Sequence, residues 1–382
     1  MMENIAILSA VRTPIGKGVK GVFKNTRPDE LGSAVLKEAL KRANISPEDI
    51  EDVIFGCAMP EGEQGMNVAR IISLRAGLPT SSSAATVNRY CASGLNAIAD
   101  VAKSIAVGQI EIGIGGGVES MSMVPMGGNK PSANPYLIKH FPEAYMSMGL
   151  TAEEVAQKFN ISREMQDEFS LESHNRAVNA MKKGLFKEEI IGINTENKCE
   201  KYELIEYDEG PRPDTTLKAL LELKPAFKLS GSVTAGNSSQ VSDGAAAVVL
   251  ANKKSIGSQK IRGFFRGFAT AGVDPDIMGT GPVPAIRKLL KKVALDIKDI
   301  GVWEINEAFA AQIVYCIKEL GLDIQKVNPL GGSIALGHPL GCTGARQVAT
   351  ILHHMERQKI RYGVCSMCIG GGMGAAALIE LP

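Results

Sequence analysis

The chain carries two loosely similar copies of one pattern, and this duplication limits what it can fold into more than any other feature. "DIEDVIFGCAMPEG" (49–62) is matched by "DIGVWEINEAFAAQ" (299–312). "AATVNRYCASGLNAIADVAKSI" (84–105) has a counterpart in "QKVNPLGGSIALGHPLGCTGARQVATILHHM" (325–355), and "IEIGIGGGVESM" (110–121) is echoed by "RYGVCSMCIGGGMGAAALIEL" (361–381). Both copies run strand, glycine-rich turn, helix, strand. Such alternation predicts a parallel sheet with helices on both faces. Ligands of open α/β sheets sit at strand C-termini, so two facing halves bring their turns together.

The duplication divides the chain. Residues 1–120 with 242–256 read as an N-terminal half and 257–382 as a C-terminal half. Between them, 121–241 reads as an inserted loop domain, with helical "TAEEVAQKF" and "SREMQDEFSLESHNRAVNAMKKG" among loop-like runs such as "YDEGPRPDTT". At 382 residues, 45% hydrophobic and 22% charged, the chain can bury a sizeable core. Its formal net charge is +1, with no basic stripe, which argues against a nucleic-acid partner. "NIAILSAVR" is too short to span a membrane and lacks a signal peptide's charged opening, so it reads as a first strand and no integral membrane association is expected. Seven cysteines without framework spacing point to a reducing cytoplasm.

Several residues invite a chemical reading, each beside a plainer one. Cys91 stands where a strand meets a helix starting near Ser93; the helix dipole there favours a thiolate nucleophile, although free cysteine is also among the most buried residue types. His338, among Gly331, Gly332, Gly337, Gly341 and Gly344, is a candidate base or a structural turn histidine. Cys365 and Cys368 form a C-x-x-C, but no second ligand pair suits a metal, and a redox pair usually opens a helix. On a strand they point to opposite faces, and the glycines after Cys368 make it the better functional candidate. Cys57, Cys199, Cys316 and Cys342 read as structural. Asn306 reads either as a helix cap or as an amide that orients an oxyanion.

Taken together, "VNRYCASGLNAI", "GGGVESMS", "VTAGNSSQVSDGAAAV", "GPVPA", "NEAFAAQ", "GHPLGCTGAR" and "CSMCIGGGMGAA" resemble the thiolase family along nearly the whole chain. The resemblance implies a five-layered αβαβα fold of two similar halves with an inserted loop domain. It implies that Cys91 is the nucleophile acylated as a thioester, His338 its base, and Cys368 the thiol that moves the α-carbon proton. A water bound by Asn306, together with His338, would stabilise the enolate oxygen, and the N–H groups of Cys91 and Gly370 the other oxyanion. Ser239, Ala235 and Phe227 match positions lining a pantetheine channel, Arg212 one near the nucleotide, Met148 the acyl end, and Phe309 a ring near the reacting groups.

Coenzyme A is then a co-substrate, with no permanently bound cofactor and no metal. "SQVSDGAAAV", "GHPLGCTGAR", "VCSMCIG" and "YDEGPRPDTT" resemble the degradative 3-ketoacyl-CoA branch more than the acetoacetyl-CoA branch. So does Ser147, where short-chain enzymes tend to carry His; "IGGGMG" leans the other way. The family implies at least a dimer. A homodimer is expected, with a tetramer as the alternative, and an enoyl-CoA hydratase/3-hydroxyacyl-CoA dehydrogenase is a candidate partner.

Overall fold

The computed structural model describes residues 2–196 and 202–382, so Cys199 lies outside the described residues. The N-terminal half runs β1 (Ile5–Arg12), β2 (Gly16–Lys17), α1 (Pro28–Ala43), β3 (Asp52–Gly56), α2 (Val68–Ala76), β4 (Ser83–Val87), α3 (Ser93–Ala106) and β5 (Ile112–Ser120). A middle segment holds α4 (Pro135–His140), α5 (Met148–Lys158), α6 (Arg163–Lys182), the hairpin of β6 (Ile193–Glu196) and β7 (Tyr202–Ile205), and α7 (Leu217–Leu221). Then β8 (Ser242–Asn252) and β9 (Gly263–Gly272) lead into α8 (Pro282–Val293), β10 (Val302–Ile305), α9 (Ala310–Leu320) and α10 (Ser333–Leu336). The chain closes with α11 (Leu340–Gln358), β11 (Tyr362–Ile369) and β12 (Met373–Glu380).

Strand order is β4-β3-β5-β8-β1-β9-β12-β11-β10, and it reads alike from both ends. β3 is parallel to β4 and β5, β5 is antiparallel to β8, and β8 to β1. In the second half β10 is parallel to β11 and, through one Trp303–Val327 bridge, to the segment standing for β4. β11 is antiparallel to β12, and β12 to β9. The halves join through two residue pairs of β1 and β9. The sheets are therefore mixed, not parallel as alternation alone suggested. β12 returns beside β11 through a tight turn in which Gly371 and Gly372 take φ of 80° and 83°, a conformation glycine adopts without penalty.

Side chains alternate across each strand with a period of two and sort into layers. Ile5 and Ile7 of β1 share a core with α3 and α11, while Ala6 and Leu8 pack with α1 and α2. Met367 and Ile369 of β11 face the same α3/α11 pair, whereas Val364 faces α8 and α9. The result is helix, sheet, helix, sheet, helix. The central helices touch backbone to backbone: a Cβ on Gly94 would lie 2.6 Å from the Gly341 carbonyl oxygen, and one on Gly344 would lie 2.4 Å from the Leu95 nitrogen. The middle segment is tied to the end of β1 by the buried Arg12 guanidinium, paired with Glu189 at 2.6 Å and Asp208 at 2.7 Å.

Candidate active site

Two turns at the ends of the central helices and two strand ends meet at one place. Cys91 sits in the single 3-10 turn Tyr90–Ala92 that enters α3, with Tyr90 at φ 45°. Ser93 Oγ closes that turn, accepting from Arg89 N at 2.8 Å and donating to the Tyr90 carbonyl at 2.7 Å. His338 follows Gly337, whose φ of 105° and tight contact with Ser242 and Ile15 leave no room for a side chain. Asn306 directly follows β10, and Cys368 lies near the end of β11. All four side chains are buried. Asn306 caps nothing, because α9 begins later, with Phe309 at its N-cap.

One hydrogen-bond chain fixes the His338 ring. Ser333 Oγ donates to Asn306 Oδ1 at 2.6 Å, which turns Asn306 Nδ2 toward His338 Nε2, 3.2 Å away. On the other side His338 Nδ1 lies 2.6 Å from Thr343 Oγ1, whose hydroxyl donates to the Pro339 carbonyl at 2.9 Å. This network assigns the proton of the neutral ring to Nδ1 and leaves a lone pair on Nε2. Burial lowers the His338 pKa to about 3, with Arg346 adding repulsion. The ring is therefore held neutral, with its Nε2 lone pair facing Asn306 Nδ2.

The thiols behave differently from the helix-dipole expectation. Burial pushes the Cys91 thiol up to about 12, while the N–H groups of Gly370 and of Cys91 itself pull the other way. Cys91 is thus a resting thiol that needs a base to become a nucleophile. Cys368 is also raised, first by burial and then by the neighbouring Cys91 sulfur. Cys365 points away from Cys368 into the central core, so the C-x-x-C does not act as a pair. Cys57, Cys316 and Cys342 are buried, as structural cysteines would be. Among the described residues, no three His, Cys, Asp or Glu side chains are grouped to hold a metal.

Two adjoining cavities receive the other candidates. One, of about 260 Å³, is lined by Met148, Phe227, Ser239, Phe309 and His338, with Met121, Met126, Ser147, Val241 and Leu340 completing a largely apolar wall. Cys91 packs with Met121 and Leu340, and Cys368 with Met148 and Phe309. Phe227 lies against Gly149, where a Cβ would be 2.2 Å from its ring, and meets Phe309 edge-on at 6.0 Å. The second cavity, of about 230 Å³, contains Arg212 and Ala235 beside His174, and Gln240 lines both. Arg212 is placed by its N–H, which donates to His174 Nδ1 at 3.2 Å. Ser333, Thr343, His174 and Gln240 were not singled out in the sequence. Thr343 alone offered a local signal, five residues after His338 in one turn.

Comparison with known proteins agrees in extent with the whole chain. Residues 5–254 match the family description "Thiolase, N-terminal domain" and residues 259–381 "Thiolase, C-terminal domain". A curated relative named 3-ketoacyl-CoA thiolase, from Bacillus subtilis (strain 168), is 49% identical and covers 100% of both chains. The crystal structure of the dimeric peroxisomal thiolase of Saccharomyces cerevisiae superposes with a TM-score of 0.92 at 44% identity, covering 100% of this chain and 98% of that one. The Bacillus anthracis acetyl-CoA acetyltransferase structure gives a TM-score of 0.93 at 40% identity, over 100% of this chain and 99% of that one. With its fold, its two matched domains and these full-length relatives, the chain belongs to the thiolase family and is an acyltransferase.

Proposed function

We propose that the protein cleaves 3-ketoacyl-CoA with coenzyme A to give acetyl-CoA and a shortened acyl-CoA, through acyl-Cys91. The observation that carries this reading is a neutral histidine on the wall of an apolar cavity, its Nε2 accepting from Asn306 Nδ2, with two buried thiols, Cys91 and Cys368, packed against residues of that same wall. His338 Nε2 takes the Cys91 proton, and the thiolate attacks the 3-keto carbon. The C2–C3 bond breaks, its electron pair passing into the enolate of acetyl-CoA. Cys368 gives its S–H proton to C2, with His338 and Asn306 supporting the enolate oxygen. The thiol of a second CoA then loses its proton to the Cys368 thiolate and attacks acyl-Cys91, stabilised by the Cys91 and Gly370 N–H groups. Cys91 leaves and recovers its proton from His338.

CoA would thread both cavities, its nucleotide near Arg212 and its pantetheine past Ala235, Ser239 and Phe227, with Met148 and Phe309 around the acyl end. The degradative role in fatty-acid metabolism rests on relatives named 3-ketoacyl-CoA thiolase at 49% and 48% identity. The acetyl-CoA acetyltransferase likeness supports a second reading, a short-chain acetoacetyl-CoA thiolase, at the lower identity of 40%. The dimeric yeast neighbour supports a homodimer. No helix among the described residues is long and apolar enough to cross a membrane, and we place the enzyme in the cytoplasm, alongside a hydratase/dehydrogenase that supplies 3-ketoacyl-CoA. Side-by-side thiolysis of acetoacetyl-CoA and 3-ketohexadecanoyl-CoA, with Cys91→Ser as control, tests the reading. Comparable cleavage of the longer substrate supports it, activity on acetoacetyl-CoA alone supports the second reading, and no cleavage of either overturns both.

A further inference from the structure

Glu119 is fully buried at the end of β5 and takes no part in the steps above. Its carboxylate accepts from Ala58 N at 2.8 Å, Met59 N at 3.2 Å, Gln64 Nε2 at 2.5 Å and Gly341 N at 2.7 Å, and the Cys57 thiol points at it from 3.7 Å. Every one of these neighbours donates. A neutral carboxyl group would hold a hydroxyl with nothing to receive its proton, so the surroundings fit the ionised form, although burial pushes its pKa up.

We propose that Glu119 is a positioning residue for the reaction proposed above, fastening the turn that carries Cys91 to the first turn of α11 so that nucleophile and base stay in register. The path to Cys91 is short. The Ala58 carbonyl accepts from Asn88 Nδ2 at 2.9 Å, and Asn88 Oδ1 accepts from Tyr90 N at 2.8 Å, one residue before Cys91. Ala58 also packs in the same apolar cluster as Cys91 and Leu340. The path to His338 is as direct. Gly341 is the second residue of α11, three positions beyond His338, and a carboxylate there meets N–H groups that the helix leaves unpaired. The fit is close: a Cβ on Gly341 would lie 2.8 Å from Glu119 Oε2 and 2.7 Å from Cys57 Cα, and one on Gly117 would lie 2.1 Å from the Gly341 carbonyl oxygen. One carboxylate from the N-terminal half thus holds both its own nucleophile turn and the base turn of the other half.

The inference rests on the thiolysis reading, so the test separates the two. In wild type, Glu119→Gln and Gln64→Met, the amount of Cys91 is titrated with iodoacetamide and mapped by peptide mass. Turnover is then expressed per titrated Cys91, and KM for CoA is measured. Expected are a fall in kcat on the order of thirtyfold for Glu119→Gln and about threefold to fivefold for Gln64→Met, which removes one donor of five. KM for CoA should stay within about twofold, because the cavity around Arg212 is built from other residues. Glu119→Asp, with the charge but a shorter reach, should fall between wild type and Glu119→Gln.

If kcat per titrated Cys91 stays within about twofold of wild type in Glu119→Gln and Gln64→Met, with only the melting temperature lowered, Glu119 is a structural carboxylate and the proposal is overturned. Should Glu119→Gln not fold, Gln64→Met decides by the same criterion. A wild-type protein that cleaves no 3-ketoacyl-CoA overturns the function and this inference with it.

Discussion

The two halves share one architecture and differ in what they put at equivalent strand ends. By register, the parallel ladder of β3 with β5 starts at Asp52–Gly113, and that of β10 with β11 at Val302–Gly363. Gly56 then occupies the place of Asn306. A Cβ on Gly56 would lie 2.2 Å from the Ser93 carbonyl carbon, so α3 presses directly on its strand. In the C-terminal half that place is open enough for an amide reaching His338. The helix turns differ in the same way. Ser93 and Thr343 stand beside the paired crossing glycines 94 and 344, yet Ser93 only closes its own turn while Thr343 also holds His338 Nδ1. Duplication supplies two sets of strand ends aimed at one spot, and small exchanges at matching positions divide the labour. In the proposed reaction the first half gives the nucleophile, the second the base, the amide and the proton-carrying thiol.

The largest effect should come from removing the first half's contribution. Cys91→Ser is expected to lower thiolysis by about 10³-fold or more, with no acyl-enzyme seen by mass spectrometry. Making the halves alike at the strand end, Asn306→Gly, should cost about 10²-fold in kcat with KM for CoA little changed, read by steady-state kinetics. Thr343→Val removes the hydroxyl at nearly constant shape; kcat should fall about tenfold, and Thr343→Ser should restore most of it.

Two further predictions concern stability. Gly344→Ala forces a Cβ onto backbone at the helix crossing and should destabilise by about 3 kcal/mol in denaturant titration, with kcat changed less than by Thr343→Val. The last prediction concerns pH. His338 and His353 are both lowered from 6.5 to about 3 by burial, reinforced by Arg346 and Arg262 respectively. Between those values the unfolded chain binds more protons, so stability is full above pH 6.5 and declines as pH falls toward 3. This histidine contribution lowers melting temperature from pH 7 to 4, against an opposite contribution from the Glu304 carboxyl, which burial raises from 4.5 to about 7, and His353→Gln should remove part of the histidine slope.

The fold was legible because its signals are local and repeated. The strand at Ile5, the helix at Ser93 and the strand before Cys368 each follow from patterning within about ten residues, and repetition exposed the two halves. Strand direction was not legible, since whether β8 and β12 return antiparallel depends on turns and partners distant in sequence. At the site, Cys91 and His338 stood out by residue type and by the turn each occupies. The dipole argument misjudged the state of Cys91, because complete burial outweighs a helix end. Asn306 was legible as an amide of interest, but not by capping. Ser333, His174 and Glu119 gave no signal, since each acts through a partner more than twenty residues away.

The meeting of α3 and α11 at Gly94 and Gly344 has a consequence for how the protein comes into being. Each sheet buries its inner face partly on the helix of the other half, so neither half owns a closed core. During synthesis the first half must wait, with its inner face uncovered, until α11 emerges near the end of the chain. Folding should therefore be slow and strongly dependent on long-range closure. A chain severed between β8 and β9 would yield two fragments, each aggregation-prone alone, that regain a cysteine–histidine site only by assembling with one another.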